Sequence, residues 1–196
     1  MKLEKWKHYL RARVFHMLNK DDAALKEYQL SLQAAPDFSR AAACSAFIYA
    51  RQGNFTAAAT HFREALRLDP NDAEMCFNLG YTCDKNAARS EALAAFKMAV
   101  QLNPKLDRAW YGMGMCHAAL GDHGAAAAAL HEAAILQPMN PHAWYALGMA
   151  HHHLHDPEKV REIILNLHRF DPKMTRQLIH DTERSDLSYL VADLVI

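Results

Sequence analysis

Small and apolar positions return along this chain in fixed columns, and the columns define its elements. Pro36, Pro70, Pro104, Pro138 and Pro172 follow one another at equal intervals of 34 residues. Two positions before each proline stand Ala34, Leu68, Leu102, Leu136 and Phe170; eight before stand Tyr28, Phe62, Phe96, Leu130 and Ile164. Twelve before stand Ala24, Ala58, Ala92, Ala126 and Val160; twenty-four before, Ala12, Ala46, Gly80, Gly114 and Gly148; twenty-eight before, His8, Ala42, Cys76, Trp110 and Trp144. Turn residues divide each interval: Asn19-Lys20-Asp21, Gly53-Asn54, Lys85-Asn86, Gly121-Asp122 and His155-Asp156-Pro157. The pattern predicts helix pairs at 5–18 with 21–34, 39–51 with 55–68, 73–85 with 89–102, 107–120 with 123–136, and 141–154 with 157–170. Two further helices are expected at 174–183 and 185–195.

Each column has a physical reason. Ala46, Gly80, Gly114 and Gly148 let one helix approach its partner where a larger side chain would clash. The column from Ala24 to Ala126 does the same from the facing helix. Phe62, Phe96 and Leu130 fill the space between the two. Each proline falls just beyond a helix end, which it cannot continue.

A unit of this length with Trp, Leu-Gly, Ala, aromatic and Pro columns resembles the tetratricopeptide repeat (TPR). The nearest match is Trp110-x-x-Met113-Gly114 with Ala126, Leu130, Ala133 and Pro138; Trp144-x-x-Leu147-Gly148 through Pro172 follows it. The resemblance implies an all-α, right-handed superhelical solenoid of five helix-turn-helix repeats, at about 5–38, 39–72, 73–106, 107–140 and 141–174, with capping helices at 175–196. The first unit departs most, with His8 and Arg11 where the family has Trp and Leu. The family's Tyr column reads Phe15, Tyr49, Cys83, His117 and His151.

In this family the first helices line a concave groove. Helical spacing from the core columns then gives an inward set: Trp6, Tyr9 and Arg13; Arg40, Ala43, Phe47 and Arg51; Glu74, Phe77, Asn78 and Tyr81; Arg108, Tyr111 and Met115; His142, Tyr145, Met149 and His152. A partner segment is expected on Tyr9, Arg40, Phe47, Arg51, Phe77, Asn78, Tyr81, Arg108, Tyr111, Met115, Tyr145 and Met149, because aromatic, Met and Arg side chains are enriched at interface hot spots. The competing reading is that the aromatic columns only pack between adjacent helices. Some relatives clamp a C-terminal carboxylate with Lys, Asn, Asn, Lys and Arg. Here Asn78 and Arg108 match that clamp while Ala43, Phe47 and Gly112 do not, so an apolar or amphipathic segment suits the groove better.

Composition narrows the function. Lys and Arg number 22, as do Asp and Glu, so there is no basic field for nucleic acid. Hydrophobic residues make up 51%, enough for a core. Neither a signal-type apolar segment nor a membrane span is legible, which makes the cytoplasm the expected compartment. Cys44, Cys76, Cys83 and Cys116 form no C-x-x-C pair and read as free thiols. No phosphate-binding or nucleophile-elbow motif occurs, so no enzyme and no cofactor is expected. His151 and His155 stand four apart, a spacing that permits a shared metal on one helix face. His151 falls in a core column and carboxylates nearby are few, so the pair reads as packing and rim, with no metal.

The sequence thus reads as a non-enzymatic scaffold or adaptor whose partner is a protein, peptide or helix segment. One alternative is a self-associating module, a homodimer through the C-terminal helix rather than a monomer. There Leu187, Leu190, Val191, Leu194 and Val195 form one apolar stripe, expected either to cap the fifth unit or to pair with a second chain. The other alternative is a peripheral membrane-surface factor. Residues 1–20 hold six Lys and Arg against one Glu, a net +5, beside Trp6, Leu10, Val14, Phe15 and Leu18.

Overall fold

The computed structural model describes residues 2–192, and among these are eleven α-helices, one 3-10 helix and no strand. The chain divides into two units, Met1–Leu102 and Asn103–Ile196. The first holds α1 (Lys2–Met17), α2 (Asp21–Ala34), α3 (Ser39–Arg51), α4 (Phe55–Leu68), α5 (Ala73–Lys85) and α6 (Arg89–Leu102). The second holds α7 (Asp107–Ala119), α8 (His123–Leu136), α9 (Pro141–His153), α10 (Pro157–His168), α11 (Pro172–Asp181) and the 3-10 helix Ser185–Val191. Most boundaries coincide with those read from the columns. The last does not: among the described residues, 185–195 is 3-10 over Ser185–Val191, and its N-cap residue Arg184 makes no side-chain cap bond. Asp186, in the first turn of that helix, is held by the Arg184 guanidinium through two bonds of 2.8 Å. Leu194 and Val195 lie outside the described residues.

Within each unit, helices pair through the predicted columns. A Cβ on Gly80 would come within 2.7 Å of the Phe96 ring, and one on Gly114 within 2.6 Å of Leu130. Both are closer than side-chain carbons approach, so only glycine permits these crossings. Gly148 differs. Its hypothetical Cβ would meet Leu178 of α11 at 2.8 Å, so the fifth pair is closed from outside its own repeat. Leu178, Ile179, Leu187 and Val191 join Ile163, Ile164 and Leu167 in one buried cluster.

The turn between paired helices has one backbone solution. Asn19, Gly53, Ala87, Gly121 and His155 all have positive φ, at 55, 77, 59, 80 and 56°, and stand 34 residues apart. After each, a main-chain N–H reaches back five residues to close the helix: Lys20 to Phe15, Asn54 to Tyr49, Ala88 to Cys83, Asp122 to His117 and Asp156 to His151, at 2.9–3.1 Å. This closure satisfies carbonyls that would otherwise be orphaned at the helix end. The Tyr column of the family supplies the accepting carbonyl. Main-chain atoms make that bond, which is why Cys83, His117 and His151 serve there as well as Phe15 and Tyr49.

The first pair carries its own lock where tryptophan is replaced. His8 Nδ1 lies 2.7 Å from Glu27 Oε2, and Arg11 Nη2 lies 3.0 Å from Glu27 Oε1. The Ser31 hydroxyl donates to the Lys5 carbonyl at 2.8 Å. Glu27 is nearly buried, and the hydrogen bond from His8 and the Arg11 guanidinium on α1 compensate its desolvation.

Candidate functional site

The expected groove residues separate into two rows when placed on their helices. One row follows the register of Arg13, Phe47, Tyr81, Met115 and Met149; the other follows Tyr9, Ala43, Phe77, Tyr111 and Tyr145. The first row is exposed from Arg13 to Met115, with only Met149 half-buried. The second is buried or half-buried throughout.

In the first unit, Tyr9 is only 7% exposed, which removes it from any open surface. Its ring packs among Trp6, Tyr28 and Phe38 with centroids 5.1–5.9 Å apart, and Tyr28 beneath it is fully buried. The cause is the first repeat's aromatic partner set, which draws Tyr9 into the core. Phe47 and Tyr81 stand out instead, each 45% exposed. Phe47 meets Phe62 edge-on at 5.2 Å, which roots its inner edge and leaves the rest in solvent. The Lys85 ammonium lies 5.5 Å from the Tyr81 ring centre, and the Arg40 guanidinium 5.9 Å from the Trp6 ring. Phe77 is half-buried, its ring tilted on Phe96 at 5.9 Å. Asn78 is half-buried, and its carbonyl accepts from the Thr82 hydroxyl at 2.7 Å. Arg51 is ion-paired with Asp21, so its charge is partly spent on joining α3 to α2.

In the second unit, Arg108 and Met115 are exposed. Tyr111 packs at the edge of two core clusters, and burial pushes its phenol above the ordinary range. Met149 lies against the core of α9 to α11. Tyr145 donates its hydroxyl to Asp181 Oδ2 at 2.7 Å. Burial raises this phenol first, and the neighbouring carboxylate raises it further. Asp181 belongs to the C-terminal segment and has no counterpart in the repeat columns, so no periodic signal marks it. Lys85 was legible as the residue four after Tyr81 on the same helix face.

His151 and His155 do not share a helix face. α9 ends at His153, and His155 is the left-handed residue of the following turn. His151 Nδ1 lies 3.5 Å from Asp156 Oδ2, beyond hydrogen-bond range. His117 and Asp122 repeat that arrangement one unit earlier. Among the described residues no group of three or more His, Cys, Asp or Glu side chains is placed to hold a metal. The four cysteines are free, and burial, reinforced by Glu91, pushes the Cys83 thiol up to about 11. A surface depression of 580 Å³ lies elsewhere in this unit, lined by His131, Trp144, His151, Lys159 and Arg169.

Comparison with known proteins bears on the scaffold. The family described as "TPR repeat" matches residues 47–86, and that described as "Tetratricopeptide repeat" matches 86–134 and again 111–159. No curated protein sequence matches significantly. Among solved structures, MamA superposes with a TM-score of 0.79 at 18% identity over 100% of this chain and 99% of its own. YrrB, described as a TPR protein with an unusual peptide-binding site, gives 0.81 at 21% identity over 90% of each chain. PilF of Pseudomonas aeruginosa gives 0.70 at 15% identity over 98% of this chain and 94% of that one. At such identities the likeness is one of fold.

Proposed function

The chain belongs to the tetratricopeptide repeat family, a scaffold for protein–protein interaction, and on that premise we propose that it is a non-enzymatic adaptor holding an apolar or amphipathic segment of a partner protein against the exposed aromatic row of α3 and α5. One observation carries the reading. Phe47 and Tyr81 occupy the same register in successive repeats and are exposed to the same extent, although the second row shows that this chain can bury its aromatics. Large rings held rigid at one edge and open at the other lose little conformational freedom on binding. Arg40 and Lys85 supply positive charge for acidic residues flanking such a segment. The peptide site for which YrrB is described agrees with this class of function, while the residues named here come from this chain alone.

The test is a peptide-display selection on the full chain, followed by measured affinities for the selected peptides. Phe47→Ala and Tyr81→Ala are expected to weaken them by about tenfold or more, as hot-spot truncations do. Lys97→Ala on α6 is the control and should leave them unchanged. Selected peptides that bind both aromatic variants as tightly as the parent chain would refute the assignment.

A further inference from the structure

The face of α1 turned away from the protein is apolar along its whole length. Its packed side is accounted for: Ala12 and Tyr9 are buried, and Phe15 and His8 are partly so. Opposite them, Leu3, Leu10, Val14 and Met17 are 86, 58, 55 and 77% exposed. A helix advances about 100° per residue, so these four fall in one stripe, about 21 Å long at 1.5 Å per residue. Lys7 borders one edge, beside Arg11, whose guanidinium is paired with Glu27; Arg13 and the part-exposed Trp6 border the other. Scattered apolar side chains on a surface are ordinary, but an aligned stripe of large ones with cations on both margins is an amphipathic face directed outward.

We propose that α1 docks this protein on an anionic lipid surface, its apolar stripe entering the interface and the flanking Lys and Arg meeting the headgroups. Charge singles out this occupant. Residues 1–20 carry a net +5, and residues 21–196 a net −5 (16 Lys and Arg against 21 Asp and Glu), so cationic character is concentrated around the stripe. Pairing of α1 with α1 of a second copy would bring cationic margins together on both sides. Stacking of a second copy's C-terminal end on α1 would need an open apolar end there. Among the described residues of that end, Leu178, Ile179, Leu187 and Val191 are instead buried within their own chain. The margins of a lipid-embedded helix, by contrast, are where long cationic side chains reach water and phosphate.

The test is cosedimentation of the full chain with vesicles of phosphatidylcholine alone and of phosphatidylcholine with phosphatidylserine. Binding to the anionic vesicles is expected at low salt, falling about tenfold without phosphatidylserine or at high salt. The Leu10→Glu, Met17→Glu double variant changes only exposed positions, so it should keep the parent melting temperature while losing about tenfold in vesicle affinity. Tyr81→Ala should leave vesicle binding unchanged, which separates this surface from the proposed peptide row. Failure of the folded parent chain to bind anionic vesicles would overturn the proposal, as would binding that the double variant does not diminish. Two other results would reassign the stripe and equally overturn it: a dimer that the double variant dissolves, or binding of an acidic amphipathic peptide with no binding of vesicles.

Discussion

The first and last α-helices among the described residues begin from a similar situation and answer it differently. α1 and α11 each pack one side against neighbours within their own unit and leave one side to solvent. On α11 the packed side takes Leu178 and Ile179, while Lys173, Gln177 and His180 face outward. On α1 the packed side takes Ala12 and Tyr9, and the outward side takes Leu3, Leu10, Val14 and Met17. Packing on one side only therefore does not of itself oblige a helix to expose large apolar residues. α11 shows the polar solution in use, which makes the outward stripe of α1 a property in need of a function.

The comparison is broken most sharply at α11. Leu178→Ala deletes a fully buried side chain in contact with the α9 backbone at Gly148, and should cost about 2–5 kcal/mol in denaturant-measured stability. Gly148→Ala attacks the same contact from the other side. Its new methyl would lie 2.8–2.9 Å from both Leu178 methyl carbons, with an expected loss of about 1–3 kcal/mol. At the other end, Glu27→Ala leaves His8 without its near-buried partner and should cost about 1–3 kcal/mol. Ala87→Gly should raise the melting temperature by the equivalent of about 1 kcal/mol, because alanine is held at a φ that glycine adopts freely. Leu10→Gln closes the series. The residue is as large as Leu178 but exposed, and its replacement should move stability by no more than about 0.5 kcal/mol.

Acidification sharpens the contrast between the units themselves. Burial against Tyr49 holds His61 of the first unit below the ordinary imidazole value. In the second unit, desolvation first, and then the positive charges of His123, His152 and His155, depress His153, whose ring stacks on His123 at 4.4 Å. A histidine depressed in the folded state favours the fold while neutral. Its contribution is intact above the unfolded value of about 6.5 and is lost as pH falls below it. Thermal melts between about pH 7 and pH 5 should therefore show falling stability, and His61→Phe should reduce the slope.

Most of the fold was legible because its columns record main-chain geometry and packing volume together. Gly80 and Gly114 sit at the predicted crossings, Gly148 sits chiefly against α11 instead, and the helix boundaries follow the prolines and turns. The C-terminal segment was less legible because it lies outside the repeat and Arg184 captures Asp186, an interaction that no spacing rule announces. The site was legible only as a set. Helical spacing placed Phe47, Tyr81 and Tyr9 on one nominal face, but whether a ring is open depends on what the neighbouring helix offers it. For Tyr9 that is Tyr28 and Phe38; for Phe47 it is a single edge of Phe62. Tyr145 met Asp181, a partner 36 residues away and out of phase with every column.

The left-handed turns carry a consequence for how such a chain can grow or shrink. Each closing bond runs from a residue to one five positions earlier, so it begins and ends inside a single repeat. Removing or duplicating any stretch of one period would rejoin the chain in the same backbone state at both seams, with no donor or acceptor stranded. The seam does not depend on which side chain occupies it: asparagine, glycine, alanine and histidine all stand at the left-handed position in this one protein. A chain built this way can be lengthened by copying a cassette at any of its prolines, and each copy is then free to change its outward face without renegotiating its joints.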